Sequence, residues 1–168
     1  VFSLSEINSI NDDGTEFASP YDGQKIKLDA VSATAIQNKL GADIMMCFDQ
    51  CPAYNAPAKE QLKAVERTIR WAAICKKAHA NPHQHLFGIV QGQTDNNLRR
   101  SCAEELIKLD FPGYALGGLS VGEGPEEMVE HLKSFLDDEI KDLTAQLDRL
   151  SAAPGQPICL ALGASLSE

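Results

Sequence analysis

Three positions in the sequence place polar or glycine residues at the ends of short apolar runs. Asp49 follows the run 43–48, Gln91 ends the run 85–91, and Gly117 and Gly118 lie near the end of the run 114–119. An ionised carboxylate can accept two adjacent N–H donors in a charge-assisted pair, and an amide can donate to an acceptor. Two consecutive glycines let backbone N–H groups approach a neighbouring group closely, because no Cβ stands in the way.

Each of these positions also has a purely structural explanation. Asp49 could cap a helix or a turn, and Gln91 could be a satisfied polar residue at a strand end. Gly117 and Gly118 could simply form a tight turn. The agreement between three strand ends favours a shared site over three unrelated local features.

The pattern of apolar residues predicts helices that alternate with these strands. The predicted helices run from an N-cap at Ser32 to Gly41, from about 57 to 79, and from a cap at Asp95 to the breaker Pro112–Gly113. Alternation of this kind predicts an α/β fold with parallel strands, whose functional residues gather at the carboxyl ends of the strands. Periodicity alone does not decide between a closed barrel and a doubly wound sheet.

The size of the chain predicts one domain, residues 1–168. At 168 residues it is short for an eight-stranded barrel, which needs roughly 200 residues or more. The first thirty residues are rich in turns and predict a hairpin or small lobe around 15–18. Because the chain opens on Val1 with no leader-like pattern, we interpret its start as a cut, and no apolar run is long enough to predict a membrane span.

The net charge of the chain restricts how it could bind RNA. A net charge of -9 repels phosphate backbones, so RNA binding would need a local basic surface or a part outside the chain. The basic pairs Lys76–Lys77 and Arg99–Arg100 are expected to be solvated.

The five cysteines, an odd number, predict free thiols in a reducing cytoplasm. A metal site built from Cys47, Cys51 and the histidines 79, 83 and 85 is disfavoured, because Cys47 belongs to a buried strand.

Several longer stretches resemble the bacterial form of the tRNA-guanine transglycosylase (queuine tRNA-ribosyltransferase) family. The matching stretches are Gly41–Met46, Phe48–Cys51, Arg70–Trp71, Lys77–His79, Phe87–Gly92 and Phe111–Glu123. The resemblance covers residues 1 to about 130 in the expected order and spacing, and it implies a truncated (β/α)-barrel (TIM barrel) domain. The tail 131–168 diverges from the family.

The resemblance implies an enzyme that exchanges guanine at the tRNA wobble position for a 7-deazaguanine base, in queuosine biosynthesis. Asp49 would then accept the N1–H and amine of the purine, and Gln91 and the Gly117–Gly118 backbone would donate to it. The carbonyl of Leu119 would meet an aminomethyl arm of the base, with Glu123 close behind it. Cys51 would lie beside the pocket, and Val121 favours the bacterial substrate.

The same resemblance implies which parts of the enzyme lie elsewhere. The family's catalytic aspartates and zinc ligands have no matching positions in this chain, so we assign no catalytic or metal-binding residue and expect the chain alone to be inactive. The implied partners are guanine or a 7-deazaguanine, tRNA for the full-length enzyme and, as an open possibility, a second copy in a homodimer. A non-catalytic, purine-binding or partner subunit of the same family is the alternative function.

The tail carries two further predictions. Four leucines and one isoleucine at spacings of three and four between 136 and 150 predict an amphipathic helix that covers the sheet. An exposed coiled-coil seam is the less favoured alternative, because the segment holds so few heptads. The run 157–163 faintly resembles the family's next strand, with an altered glycine and aromatic pattern.

Overall fold

The computed structural model describes residues 8–131, 133 and 159–162, with side chains for 9–131 and 133. Its strands are β1 Asn8–Asn11, β2 Gly14–Ala18, β3 Lys25–Leu28, β4 Ile44–Met46, β5 His85–Val90, β6 Gly113–Leu116 and β7 Cys159–Leu162. Its helices are α1 Ala30–Leu40, α2 Ala58–Ala78 and α3 Asn96–Lys108, and a further helix, α4, begins at residue 125. None of the described helices combines the length and apolarity that a membrane crossing requires.

The fold is α/β with a parallel sheet, as predicted. Strands β4 to β7 pair in parallel and in chain order. Helix α2 connects β4 with β5, and α3 connects β5 with β6. The faint strand signal in the tail is confirmed by β7, which pairs with β6 from Cys159 onward. The predicted helix at 136–150 lies outside the described residues.

The predicted amino-terminal hairpin is a three-stranded antiparallel sheet of β1, β2 and β3. The third strand, Lys25–Leu28, was not predicted, because Ile26 is exposed and Leu28 only half-buried, which weakens the apolar pattern. This small sheet is joined to the main body by Trp71 of α2, whose indole N–H donates to the carbonyl of Asp12 at 2.9 Å. The Arg67 guanidinium also bonds the Asp12 carboxylate, at 2.7 Å.

Helix ends follow local hydrogen-bonding rules, with one correction. Asp29, not Ser32, caps α1: its carboxylate accepts from the Ser32 backbone N–H at 2.8 Å, and the Ser32 hydroxyl accepts from the Asp29 N–H in return. This capping box satisfies two backbone donors that the helix leaves unpaired. The other predicted caps, Gly41 in a left-handed conformation and Asp95, are confirmed.

The buried core lies between the parallel sheet and the helices. Trp71 and Cys75 of α2 pack with Met45 of β4 and Leu86 of β5, and all four are at most 2% exposed. β4 is shorter than predicted, with three residues, and it is not buried on both faces, because Ile44 is 46% exposed. This strand pairs on one side with β5 and has no second strand partner among the described residues.

Candidate functional site

The carboxyl ends of β4, β5 and β6 bring the predicted site residues together. Parallel register places Val90 of β5 opposite Leu116 of β6, so the residues that follow them, Gln91 and Gly117, lie side by side. Asp49 comes three residues after the end of β4. The side-chain nitrogen Nε2 of Gln91 donates to Oδ2 of Asp49 at 2.5 Å. Two positions separated by 42 residues in sequence thus form one hydrogen-bonded pair.

Burial governs the electrostatics of this pair. Gln91 is 1% exposed, and Asp49 is half-buried. Loss of solvent raises the pKa of the Asp49 carboxyl above its ordinary value, and the hydrogen bond from Gln91 opposes that rise without cancelling it. A carboxylate in this position gains from any ligand that supplies additional N–H donors.

The Gly117–Gly118 segment packs directly on the Gln91 side chain. A Cβ on Gly117 would lie 2.6 Å from Nε2 of Gln91, and one on Gly118 would lie 2.6 Å from its Oε1. Gly118 also has φ +67, a left-handed conformation that side chains disfavour. Glycine at both positions is what allows the backbone to lie against the amide.

Gln91 retains unused hydrogen-bonding capacity. Its Oε1 is buried and has no hydrogen-bond partner among the described residues. Its Nε2 carries two N–H groups, and the bond to Asp49 accounts for one of them. Buried polar atoms are usually paired, so Gln91 brings hydrogen-bonding capacity that the described residues leave unused to the side of the Asp49 carboxylate.

Cys51 lies against the same loops. Its Sγ accepts from Gln93 Nε2 at 3.8 Å, and the nearby backbone N–H of Gly118 acts to lower the pKa of this thiol. Burial, followed by the nearby charge of Asp49, raises the pKa of the Cys51 thiol to about 11. Cys51 is therefore a neutral thiol at physiological pH, and it forms a polarisable side wall beside Gly118.

The segment after Gly118 is held by Glu123. One carboxylate oxygen accepts from the Val121 backbone N–H at 2.8 Å, and the other accepts from the N–H of Ser120. Leu119 and Val121 are 8% and 9% exposed. The structure thus places Glu123 within hydrogen-bond distance of the segment that carries Leu119, and the binding roles of these residues stay predictions.

Two residues that organise the site were not predicted from the sequence. Arg99 was expected to be solvated, yet it is 3% exposed, and its guanidinium bonds to the carbonyls of Gln93, Gly117 and Gly118. Gln93 is fully buried and donates to the Pro52 carbonyl at 2.7 Å. A signal for Arg99 was present, because it shares the buried face of α3 with Cys102.

The described residues offer no metal centre. Across residues 8–131 and 133 no three His, Cys, Asp or Glu side chains converge in a way that could hold an ion. Cys47 is buried in the core, and Cys47, Cys51, Cys75 and Cys102 are free thiols. Zinc stays an expectation that the family resemblance implies for longer members.

Comparison with known proteins gives one consistent result. The family model described as queuine tRNA-ribosyltransferase matches residues 1–165. Proteins named queuine tRNA-ribosyltransferase from Lysinibacillus sphaericus and Bacillus licheniformis are 50% and 52% identical over 136 residues, which is 80% of this chain. A third, from Gloeobacter violaceus, is 49% identical over 132 residues.

These relatives are considerably longer than the chain. The aligned region makes up 35% of the length of each of the three. The match alone therefore does not assign the activity of these whole proteins to this chain. The family itself is settled by the extent of the match, which covers nearly all of the 168 residues. The chain belongs to the queuine tRNA-ribosyltransferase family.

Proposed function

We propose that the chain supplies the purine-recognition part of a tRNA-guanine transglycosylase. The full-length enzyme would exchange guanine at the tRNA wobble position for a 7-deazaguanine base, acting in the cytoplasm on tRNA. The observation that carries this proposal is the pairing of the Asp49 carboxylate with the Gln91 amide beside Gly117 and Gly118. The names of the relatives, queuine tRNA-ribosyltransferase, agree with this substrate class.

The chemistry of guanine matches the polar groups at this site. Its N1–H and exocyclic amine are adjacent donors, and the ionised Asp49 can accept both in a charge-assisted pair. Its C6 carbonyl can accept from the remaining N–H of Gln91 and from the Gly118 backbone N–H. Adenine presents an acceptor at N1, which would face the carboxylate without a proton between them, so the site would reject it.

The segment beyond Gly118 would select the substituent at position 7 of the base. The Leu119 carbonyl would accept a hydrogen bond from an aminomethyl ammonium. The carboxylate of Glu123, held next to this segment, would stabilise the positive charge of the ammonium. The Val121 side chain would border the same arm, with Cys51 on the side of Gly118. This role for Glu123 is supported by its bonds to the Ser120 and Val121 backbone, which fix the segment around Leu119.

We further propose that the sheet belongs to a (β/α) barrel. Strands β4 to β7 follow chain order with no reversal, whereas a doubly wound sheet binds its ligand where the strand order reverses. The site at the carboxyl ends of the strands also fits the barrel architecture, whose functional loops follow the strands at that end. β4, with its second edge unpaired among the described residues, would continue into strands contributed by the rest of the protein.

The test is calorimetric binding of 7-aminomethyl-7-deazaguanine to the full-length protein. Asp49→Ala is expected to remove binding, while Asp43→Ala, an exposed aspartate at the other end of the same strand, leaves it unchanged. Equal affinity of the wild type and the Asp49→Ala variant would contradict the proposal. Exchange of labelled guanine into tRNA, measured on the same preparations, distinguishes a catalytic enzyme from a purine-binding partner subunit.

A further inference from the structure

Arg99 of α3 joins the two loops that close the site. Its Nε donates to the carbonyl of Gln93, in the loop after β5. One of its terminal nitrogens donates to the carbonyls of Gly117 at 3.0 Å and Gly118 at 3.4 Å, in the loop after β6. A single buried guanidinium therefore spans the segments that follow two neighbouring strands.

The loop after β5 lies tightly on Arg99. Gly92 has φ +138, and a Cβ there would lie 2.6 Å from the Arg99 backbone nitrogen and 2.9 Å from its Cγ. Gly92 stands between Gln91 and Gln93, so the contact with Arg99 is continuous with the residue that bonds Asp49. Arg99 thus determines how closely the loop after β5 packs against α3.

Bonding of these carbonyls fixes the direction of the adjacent N–H groups. A trans peptide unit is planar, and its C=O and N–H point in opposite directions. When Arg99 holds the Gly117 carbonyl, the N–H of Gly118 must point away from α3. The planar peptide therefore directs the Gly118 N–H away from the Arg99 guanidinium.

We propose that Arg99 is a positioning residue that aims the Gly118 backbone N–H at the C6 carbonyl oxygen of the bound purine. The inference rests on the proposed function of the site and adds a specificity role for a residue outside the pocket. Arginine suits this role because its planar fork carries several donors in fixed directions. A lysine ammonium is a compact charge that lacks this fork geometry, so we expect it to support only one of the two loops.

The experiment compares two ligands on the full-length protein. Guanine and 6-thioguanine both present N1–H and an amine to Asp49, but sulfur at position 6 is a weak acceptor. Arg99→Lys is expected to weaken guanine binding about tenfold, and to leave 6-thioguanine binding within about twofold of the wild type, because only guanine uses the aimed N–H fully. Arg100→Lys, at the exposed neighbouring position, is the matched control and should change neither affinity.

The outcomes separate the positioning role from a structural one. Equal weakening of both ligands in Arg99→Lys would show a general structural role and overturn the inference, as would unchanged binding of both. If Arg99→Lys does not fold, the same pair is measured on Arg99→Gln, whose shorter amide can reach only one loop. Failure of the proposed function would look different: the wild type would bind neither ligand, or Asp49→Ala would bind both normally.

Discussion

The side-chain nitrogen of Gln91 donates to Oδ2 of Asp49 at 2.5 Å, across the ends of two adjacent parallel strands. The bond orients the Gln91 amide, so that its nitrogen faces the carboxylate and its oxygen faces Gly118. It also stabilises the ionised form of a carboxyl group whose burial favours the neutral form.

Asp49→Asn should abolish purine binding and stabilise the protein at neutral pH. Two charge-assisted hydrogen bonds to the base would be lost, which predicts a reduction in affinity of at least about a hundredfold. Burial raises the folded-state pKa of Asp49, so the native protein binds the proton more tightly and its stability falls as pH rises through that pKa. Asparagine removes this penalty. Calorimetry and thermal unfolding at pH 7 test both parts, and a lower Tm in the variant would contradict the second.

Purine binding should weaken as pH falls through the raised pKa of Asp49. Below that pKa the carboxyl holds a proton and can no longer accept from both donors of the base. The loss should begin at a higher pH than for an ordinary exposed aspartate, because burial raises this pKa. Binding isotherms over a pH series measure the effect. Affinity that stays constant down to the ordinary range of aspartate titration would show that Asp49 does not carry the recognition.

Gly118→Ala should damage the site, while Gly124→Ala should not. The alanine Cβ at 118 would lie 2.6 Å from Gln91 Oε1, at a backbone φ of +67. We expect a cost of roughly 1–3 kcal/mol in the free energy of unfolding, together with weaker purine binding because the Gln91 amide must move. A Cβ at Gly124 would meet nothing within 4 Å. Urea unfolding of both variants provides the comparison, and equal stabilities would argue against the strain.

Cys51 should react slowly with alkylating reagents, and a bound purine should lower the alkylation rate further. With a pKa of about 11, this thiol is ionised to less than about one part in a hundred at pH 8, and the thiolate is the reactive form. The rate should increase tenfold for each pH unit until about that pKa. Mass spectrometry of iodoacetamide-treated protein, with and without ligand, gives the rates. Modification of Cys51 at the same rate in the presence of a saturating purine would place it away from the base.

Trp71→Phe should loosen the amino-terminal sheet from the main body. The indole N–H is the donor to the Asp12 carbonyl, and the ring packs on Phe48 with centroids 4.8 Å apart. Loss of the hydrogen bond and of buried volume should cost about 1–3 kcal/mol in the free energy of unfolding. Tyr21→Phe, at a side chain that is 97% exposed, is the matched aromatic control. If the Trp71→Phe variant is as stable as that control, the contact of Trp71 with Asp12 does not contribute to the free energy of unfolding.

The type and order of the main elements, and the residues at the strand ends, follow from the amino-acid sequence alone. Alternating apolar runs and helical stripes indicated the strands around β4, β5 and β6 and the helices between them, because burial imposes those periodicities locally. The family resemblance, which the comparisons confirm, rests on the same stretches. Asp49, Gln91 and Gly117–Gly118 are predicted to lie together because parallel strands gather their carboxyl ends on one side of the sheet.

Which polar groups meet, and in which direction they point, depends on the folded arrangement of the chain. The role of Arg99 depends on two loops that α3 approaches from another part of the chain, so its charge suggested a solvated helix face. The third strand of the small sheet, Lys25–Leu28, likewise forms through pairing with β2, although its own pattern is weak. Hydrogen bonds between groups distant in sequence leave no periodic signal, so the Gln91–Asp49 bond and the contacts of Arg99 with the two loops appear only in the folded chain. The burial of Arg99, in contrast, follows from its place beside Cys102 on α3.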